Sequence, residues 1–224
     1  AFLQSLNKAG NWYLASDLRF FWRPAFLFIF FATSGICTAF SKNNFVRGIR
    51  LGLVAIVVTI ATHFVELFSG ENAFILFGVL HCLAVIILIY SLFSVIIEYS
   101  SKCISFLAKK KYNEKLTKYI ASFIYLALTV VFLIINNKYN VSLKDVNANF
   151  ATVQTDSKIL GLFFFVENWW HADYFPLFPF ISFFFFGAAM AQLLYPNKKS
   201  LLPCLDGNWH KFFTIPGRYS LIVY

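Results

Sequence analysis

Charge is scarce in this chain. Lys, Arg, Asp and Glu make up 13% of 224 residues, against about 25% in a soluble domain. There is one Met, and the four cysteines, Cys37, Cys82, Cys103 and Cys204, are scattered. No pair of them has metal-ligand or redox spacing. None falls in a segment expected outside the cell, so no disulfide is expected. Gly-rich phosphate loops, zinc-ligand spacings and nucleophile elbows are missing, which removes the commonest soluble enzyme signatures. No signal-peptide pattern and no fixed-period repeat occurs. What fills the space is apolar: 59% hydrophobic residues, 30 Phe and a mean hydropathy of +0.69. That excess of apolar surface needs lipid as its solvent. The net charge of +9 does not point to nucleic acid, because the Lys and Arg sit in short connections between apolar runs, as membrane topology requires.

A bilayer core of about 30 Å needs roughly 20 apolar residues per helix. Runs at 20–40, 45–68, 73–99, 119–136 and 174–195 meet that length, and a further run opens at Gly217 and reaches Tyr224. The expected fold is therefore all-α, a polytopic transmembrane helix bundle in one membrane domain over 1–224. Pro24 reads as a first-turn residue. The third run is long for one span, so it tilts or is interrupted near Gly78. Lys42, Arg47 and Arg50 flank the first connection, Lys109, Lys110 and Lys111 crowd the third, and Lys198 and Lys199 follow the fifth run. The intervening connections are neutral or acidic. This alternation puts the basic set in the cytoplasm. The apolar stretch 159–166 is too short to cross and ends near Trp169 and Trp170, so it reads as an interfacial or re-entrant segment. The chain starts at Ala and stops inside an apolar run, so it is expected to be part of a longer protein.

With that orientation, the ionisable residues gather toward the outer side. Thr59, Thr62, His63 and Glu66 share one face of the second span. His81 enters the third span from the same side. Asp17, Arg19 and Arg23 lead into the first span, and His171 and Asp173 precede the fifth. Ionisable groups within a membrane are costly, which favours function. Each has a plainer alternative: Arg19 and Arg23 snorkelling to lipid phosphates, His63 and Glu66 as a structural pair, Asp173 capping a helix that Pro176 starts. Lys109–Lys111 is a topology determinant or a phosphate binder. Gly48/Gly52 and Gly187/Ala191 have spacing that permits close helix approach. If the ionisable residues form one site, His63, His81 and Asp173 line a cavity with Arg19 or Arg23 at its rim.

The chain carries the strings Arg23-Pro24-Ala25-Phe26-Leu27-Phe28-Ile29-Phe30, Ser34-Gly35, Arg47-Gly48-Ile49-Arg50-Leu51, Phe77-Gly78-Val79-Leu80-His81, Asp173-Tyr174-Phe175-Pro176-Leu177-Phe178-Pro179 and Gly217-Arg218-Tyr219-Ser220-Leu221. These strings resemble one bacterial membrane family, related to heparan-alpha-glucosaminide N-acetyltransferase. They occur in the family's order across nearly the whole chain. The resemblance implies a multi-pass acyltransferase of the bacterial plasma membrane. Its donor would be acyl-CoA (acetyl-CoA), with no metal, and its acceptor a sugar, glycolipid or other small molecule. The imidazole of His81 or His63 would serve as base or acyl carrier, with Asp173 and Glu66 as carboxylates, and Arg19, Arg23, Asp17 and His171 would bind substrate. Membrane lipids are the expected surroundings, nucleic acid is not an expected partner, and homo-oligomers stay open. Two rivals also stay open: a transporter or flippase, which a broken third helix would suit, and a non-catalytic membrane subunit.

Overall fold

A computed structural model describes residues 17–70, 73–107, 114–138, 160–164 and 174–195. Every element among them is helical. In chain order these are α1 (Asp17–Ile36), a 3₁₀ turn (Cys37–Ala39), α2 (Asn44–Ser69), α3 (Val79–Leu107), α4 (Glu114–Lys138), the four-residue α5 (Leu160–Phe163) and α6 (Phe180–Leu194). The protein is an all-α membrane helix bundle. By length and composition, α2, α3 and the Leu116–Lys138 part of α4 can cross a bilayer, and Pro24–Ala39 and α6 are shorter apolar helices.

Local chemistry explains the ends of α2. Asn43 has extended backbone and its side chain accepts from the Val46 N–H at 3.2 Å, a standard N-cap. At the other end Gly70 adopts φ 69° and donates its N–H to the Glu66 carbonyl, a left-handed stop that a side chain would strain. Two boundaries differ from expectation. Pro24 lies inside α1 rather than in its first turn, because the helix also takes in the polar segment from Asp17. The span expected from 174 becomes helical only at Phe180. Phe175 and Phe178 each precede a proline, and the proline ring disfavours helical backbone at the preceding residue. Asp173 therefore cannot cap a helix started by Pro176. The third span is broken as anticipated: residues 73–78 are irregular, and α3 begins at Val79.

α6 is the central helix, packed against α1, α3 and α4, while α2 packs on α3. α6 is apolar but for Ser182 and Gln192 and is buried over most of its surface, with Phe183, Phe186 and Met190 half-buried along one side. Phe180, Phe184, Phe185, Ala188, Ala189 and Ala191 are wholly buried. Paired contacts give the helix directions. Phe31 stacks on Phe180 and Phe40 meets Tyr195, so α1 and α6 run parallel. Phe132 meets Phe178 and Ser122 donates to the Ala189 carbonyl, so α4 runs against α6. Cys82 Sγ reaches the Pro176 carbonyl and Tyr90 packs on Phe184, so α3 runs with α6. One end of the bundle consequently gathers Lys42, Arg47, Arg50, Lys102 and Lys118. The other half gathers Glu66, the irregular segments and, deeper in, His81.

α1 and α6 approach through glycine. A Cβ on Gly187 would lie 2.0 Å from the Ala32 carbonyl oxygen, and one on Gly35 would lie 2.2 Å from that of Phe184. These are backbone atoms that no rotamer change can clear. Gly48 is less constrained, since a methyl there would meet side-chain atoms alone, those of Leu88 at 2.9 Å and of Ile87 at 3.3 Å. Gly52 has ordinary clearance at 3.9 Å.

The stretch expected to be interfacial or re-entrant forms α5, docked on residues 174–178. Tyr174 donates its hydroxyl to the carbonyls of Gly161 and Phe164. The Leu177 and Phe178 N–H groups donate to Leu162 and Phe163 at 2.9 and 3.0 Å. Four successive carbonyls, three in a helix too short to satisfy itself and that of Phe164 just after it, are thus occupied, as backbone at membrane depth requires. Phe164 stacks on Phe178 at 5.2 Å.

Candidate functional site

The polar stripe of α2 is built around Ile75. This residue lies outside any helix, so its N–H and C=O need partners. Thr59 Oγ1 donates to the Ile75 carbonyl at 2.9 Å, and Thr62 Oγ1 accepts from the Ile75 N–H at 3.3 Å. Thr62 passes its own proton back to the carbonyls of Val58 and Thr59. Residues 73–78 therefore run back along the last turns of α2, held by two hydroxyls. The chain then enters α3 at the level of Thr59.

His81 completes this junction. Its Nε2 lies 3.1 Å from Thr59 Oγ1, and its Nδ1 accepts from the Gly78 N–H at 3.4 Å. The backbone N–H can only donate, so Nδ1 carries the lone pair and the ring proton sits on Nε2. Proton bookkeeping is then consistent along the chain of groups: Nε2–H to Thr59 Oγ1, and Thr59 O–H to the Ile75 carbonyl. His81 is also the third residue of α3, reaching back to the N–H of the residue before the helix, where Glu or Gln acts in a capping box. Thr59 lies ten residues from the C-terminal end of α2, about 15 Å at helical rise. His81 is therefore deeper than an outer-surface position, within the central third of α2.

His63 differs from the interior-facing position expected of the stripe. It is exposed, with its ring edge against Phe74 at 5.4 Å. The four stripe positions span about 100° of helix, with His63 at one margin; Thr59 and Thr62 take the contact with residues 73–78. Glu66 is half-buried, and its Oε2 is buried without a hydrogen-bond partner among the described residues. A carboxylate oxygen left so is an acceptor waiting for a donor.

Asp173 and His171 lie outside the described residues, as do Lys109–Lys111, Lys198, Lys199, Trp169, Trp170 and the run from Gly217. The backbone of Asp17, Arg19 and Arg23 belongs to α1, and their side chains lie outside what is described. The structure thus joins His81 to Thr59 and, through Ile75, to Thr62. Residues 174–179 meet the same junction, since the Phe175 N–H donates to the Phe77 carbonyl at 3.2 Å.

Sequence reasoning missed the backbone of Ile75 and Gly78 as the partners of this site. It also missed a second polar cluster toward the basic end, where Tyr90 packs on Tyr125 at 5.1 Å and Gln192 Nε2 donates to Tyr90 Oη at 3.4 Å. A lone Gln in the apolar run of α6 was the available signal. Among the described residues no group of His, Cys, Asp and Glu has the geometry of a metal site, and Cys37, Cys82 and Cys103 are free thiols.

Comparison with known proteins gives one family. The pattern described as heparan-alpha-glucosaminide N-acetyltransferase, catalytic, matches residues 2–224. No curated protein and no solved structure matches the chain.

Proposed function

Since the chain belongs to the heparan-alpha-glucosaminide N-acetyltransferase catalytic-domain family, we propose that it is a multi-pass acyltransferase of a bacterial plasma membrane. It moves an acetyl group from acetyl-CoA to a sugar or glycolipid of the cell envelope. The observation that carries the reading is His81: a neutral imidazole fixed by Thr59 and Gly78, inside a membrane helix and beside two irregular segments. An ionisable group inside a membrane span is by default a candidate for function.

The chemistry asked of it is modest. An acceptor amine or hydroxyl attacks the thioester carbonyl, the C–S bond breaks, and CoA leaves as its thiol. The acceptor's proton passes to the imidazole and from there to the departing sulfur. Alternatively the imidazole first takes the acetyl group and then gives it to the acceptor. To act as base, His81 must release the Gly78 N–H, which frees the lone pair of Nδ1. Glu66, with its unpartnered oxygen, is suited to hold an acceptor hydroxyl or amine. In this reading His63, Asp173 and His171 assist the acyl transfer, with Asp17, Arg19 and Arg23 recognising the acceptor. The test is acetyl-CoA-dependent acetylation of amino-sugar and glycolipid acceptors by the purified chain, followed as thiol release. Thiol release that needs acceptor supports the reading; its absence with every acceptor class contradicts it.

One observation favours a second reading, a carrier or flippase. Irregular segments 73–78 and 174–179 meet between helices, as broken helices do at transporter binding sites. Acceptor-independent passage of a glycolipid across proteoliposomes, without thiol release, would select it.

A further inference from the structure

At the opposite end of the bundle from His81, a cavity of ≈ 680 Å³ lies against the N-terminal half of α2. Its lining changes character along its length. Ser41, Lys42, Asn43, Arg47 and Arg50 form one end, and Leu51, Val54 and Leu83 form the other. On α2 the lining positions 43, 46, 47, 50, 51 and 54 follow helical spacing, so they make one continuous face. From Asn43 to Val54 that face is about 16 Å long. Three cations converge there, and none has a carboxylate partner among the described residues. Arg47 donates only to Ser34 Oγ, at 3.3 Å. Another cavity, of ≈ 310 Å³, differs: its Lys102 is neutralised by Glu98 at 2.6 Å. The α2 N-terminus adds the positive end of a helix dipole to the first cavity.

An unneutralised cationic end joined to an apolar end has a definite chemical complement. We infer that this cavity binds a phosphate-bearing amphiphile, its phosphate on Lys42, Arg47 and Arg50 and its apolar portion along Leu51, Val54 and Leu83. Guanidinium pairs suit phosphate because they donate two parallel hydrogen bonds. Two sources carry that chemistry: an anionic phospholipid, or the phosphates of the CoA donor with its acyl-pantetheine arm. The anion site stands without the acyl-transfer reading; only its assignment to the donor rests on it.

Direct binding separates these outcomes from catalysis. The full chain, in neutral detergent, is titrated with CoA and with adenosine 3′,5′-bisphosphate. In a second arm, native mass spectrometry scores retention of phosphatidylglycerol against phosphatidylcholine. The same is done for Lys42→Gln/Arg50→Gln, whose two side chains are exposed, and for Val54→Trp, which fills the apolar end. Saturable CoA binding that weakens about tenfold or more in the double variant assigns the site to the donor. Selective phosphatidylglycerol retention, lost in the same variant, assigns it to lipid. If neither ligand distinguishes wild type from both variants, while thermal unfolding shows all three folded, the proposal is overturned. CoA binding that survives with no acetyl transfer would leave the anion site standing and remove the acyltransferase reading.

Discussion

The α1–α6 contact and the α2–α3 contact are both helix crossings built with glycine, yet they are made for different ends. Between α1 and α6 the backbones touch. Gly35 and Gly187 leave no room for a methyl, and the surrounding side chains are Phe and Ala. Between α2 and α3 the fit is looser, and its far half is polar, held by Thr59, Thr62 and His81 around Ile75. α6 buries nine of its 15 residues, whereas α2 buries only Gly48 and Ala55 and exposes Leu53, Val57, Phe64 and Leu67. The bundle thus keeps its rigid packing in one seam and its adaptable polar groups in another. A site that must bind and release substrates belongs in the second.

The largest expected effect is in the dry seam. Gly187→Ala puts a methyl into the Ala32 carbonyl and should cost about 3 kcal/mol, enough to lower the unfolding temperature sharply or abolish folded protein. Gly35→Ala should behave alike, Gly48→Ala should cost about 1 kcal/mol because Leu88 can move, and Gly52→Ala should be nearly neutral. Equal tolerance at all four positions, measured by thermal unfolding in one detergent, would erase the distinction between the seams.

In the polar seam, Thr59→Val keeps the shape and removes one donor and one acceptor. It strands the Ile75 carbonyl and the His81 N–H, at a cost of about 1–3 kcal/mol. If the hydroxyl orients the imidazole, turnover falls more than acetyl-CoA affinity does. A change in affinity alone would place Thr59 outside the reacting geometry. Gly70→Ala, at φ 69°, should cost about 1 kcal/mol by straining the α2 stop, with turnover unchanged once the protein is folded. Smallest of all, Lys102→Ala breaks an exposed pair with Glu98 and should shift stability by about 0.3–0.5 kcal/mol, fading with salt.

How much of this was legible in the sequence follows the same division. Apolar length located the helices, because spanning length is set by the bilayer and not by partners. Excess length in the third run located the break at Gly78. The start of α6 was hidden: Pro176 looks like a first-turn proline, and the second proline, Pro179, delays the regular helix to Phe180. Helical spacing found the stripe on α2, but not what it holds. Its partners are backbone groups of Ile75 and Gly78, in a segment that periodicity assigns to a helix. His63 and His81 look equivalent in sequence; depth and the Thr59 hydroxyl tell them apart. The cation-lined cavity was visible only as charge that marks a cytoplasmic face, since a cavity requires the fold.

In the proposed reading His81 serves chemistry and not only the start of α3. His81→Asn separates the two, because the amide oxygen can still accept from the Gly78 N–H while the side chain can neither act as base nor carry an acetyl group. Acetyl-CoA turnover and thermal unfolding are measured on the same preparations of wild type and variant. The expected result is an unfolding temperature close to wild type with turnover reduced about 10²-fold or more. Unchanged turnover in a folded His81→Asn protein would contradict the claim and leave His81 as a helix cap.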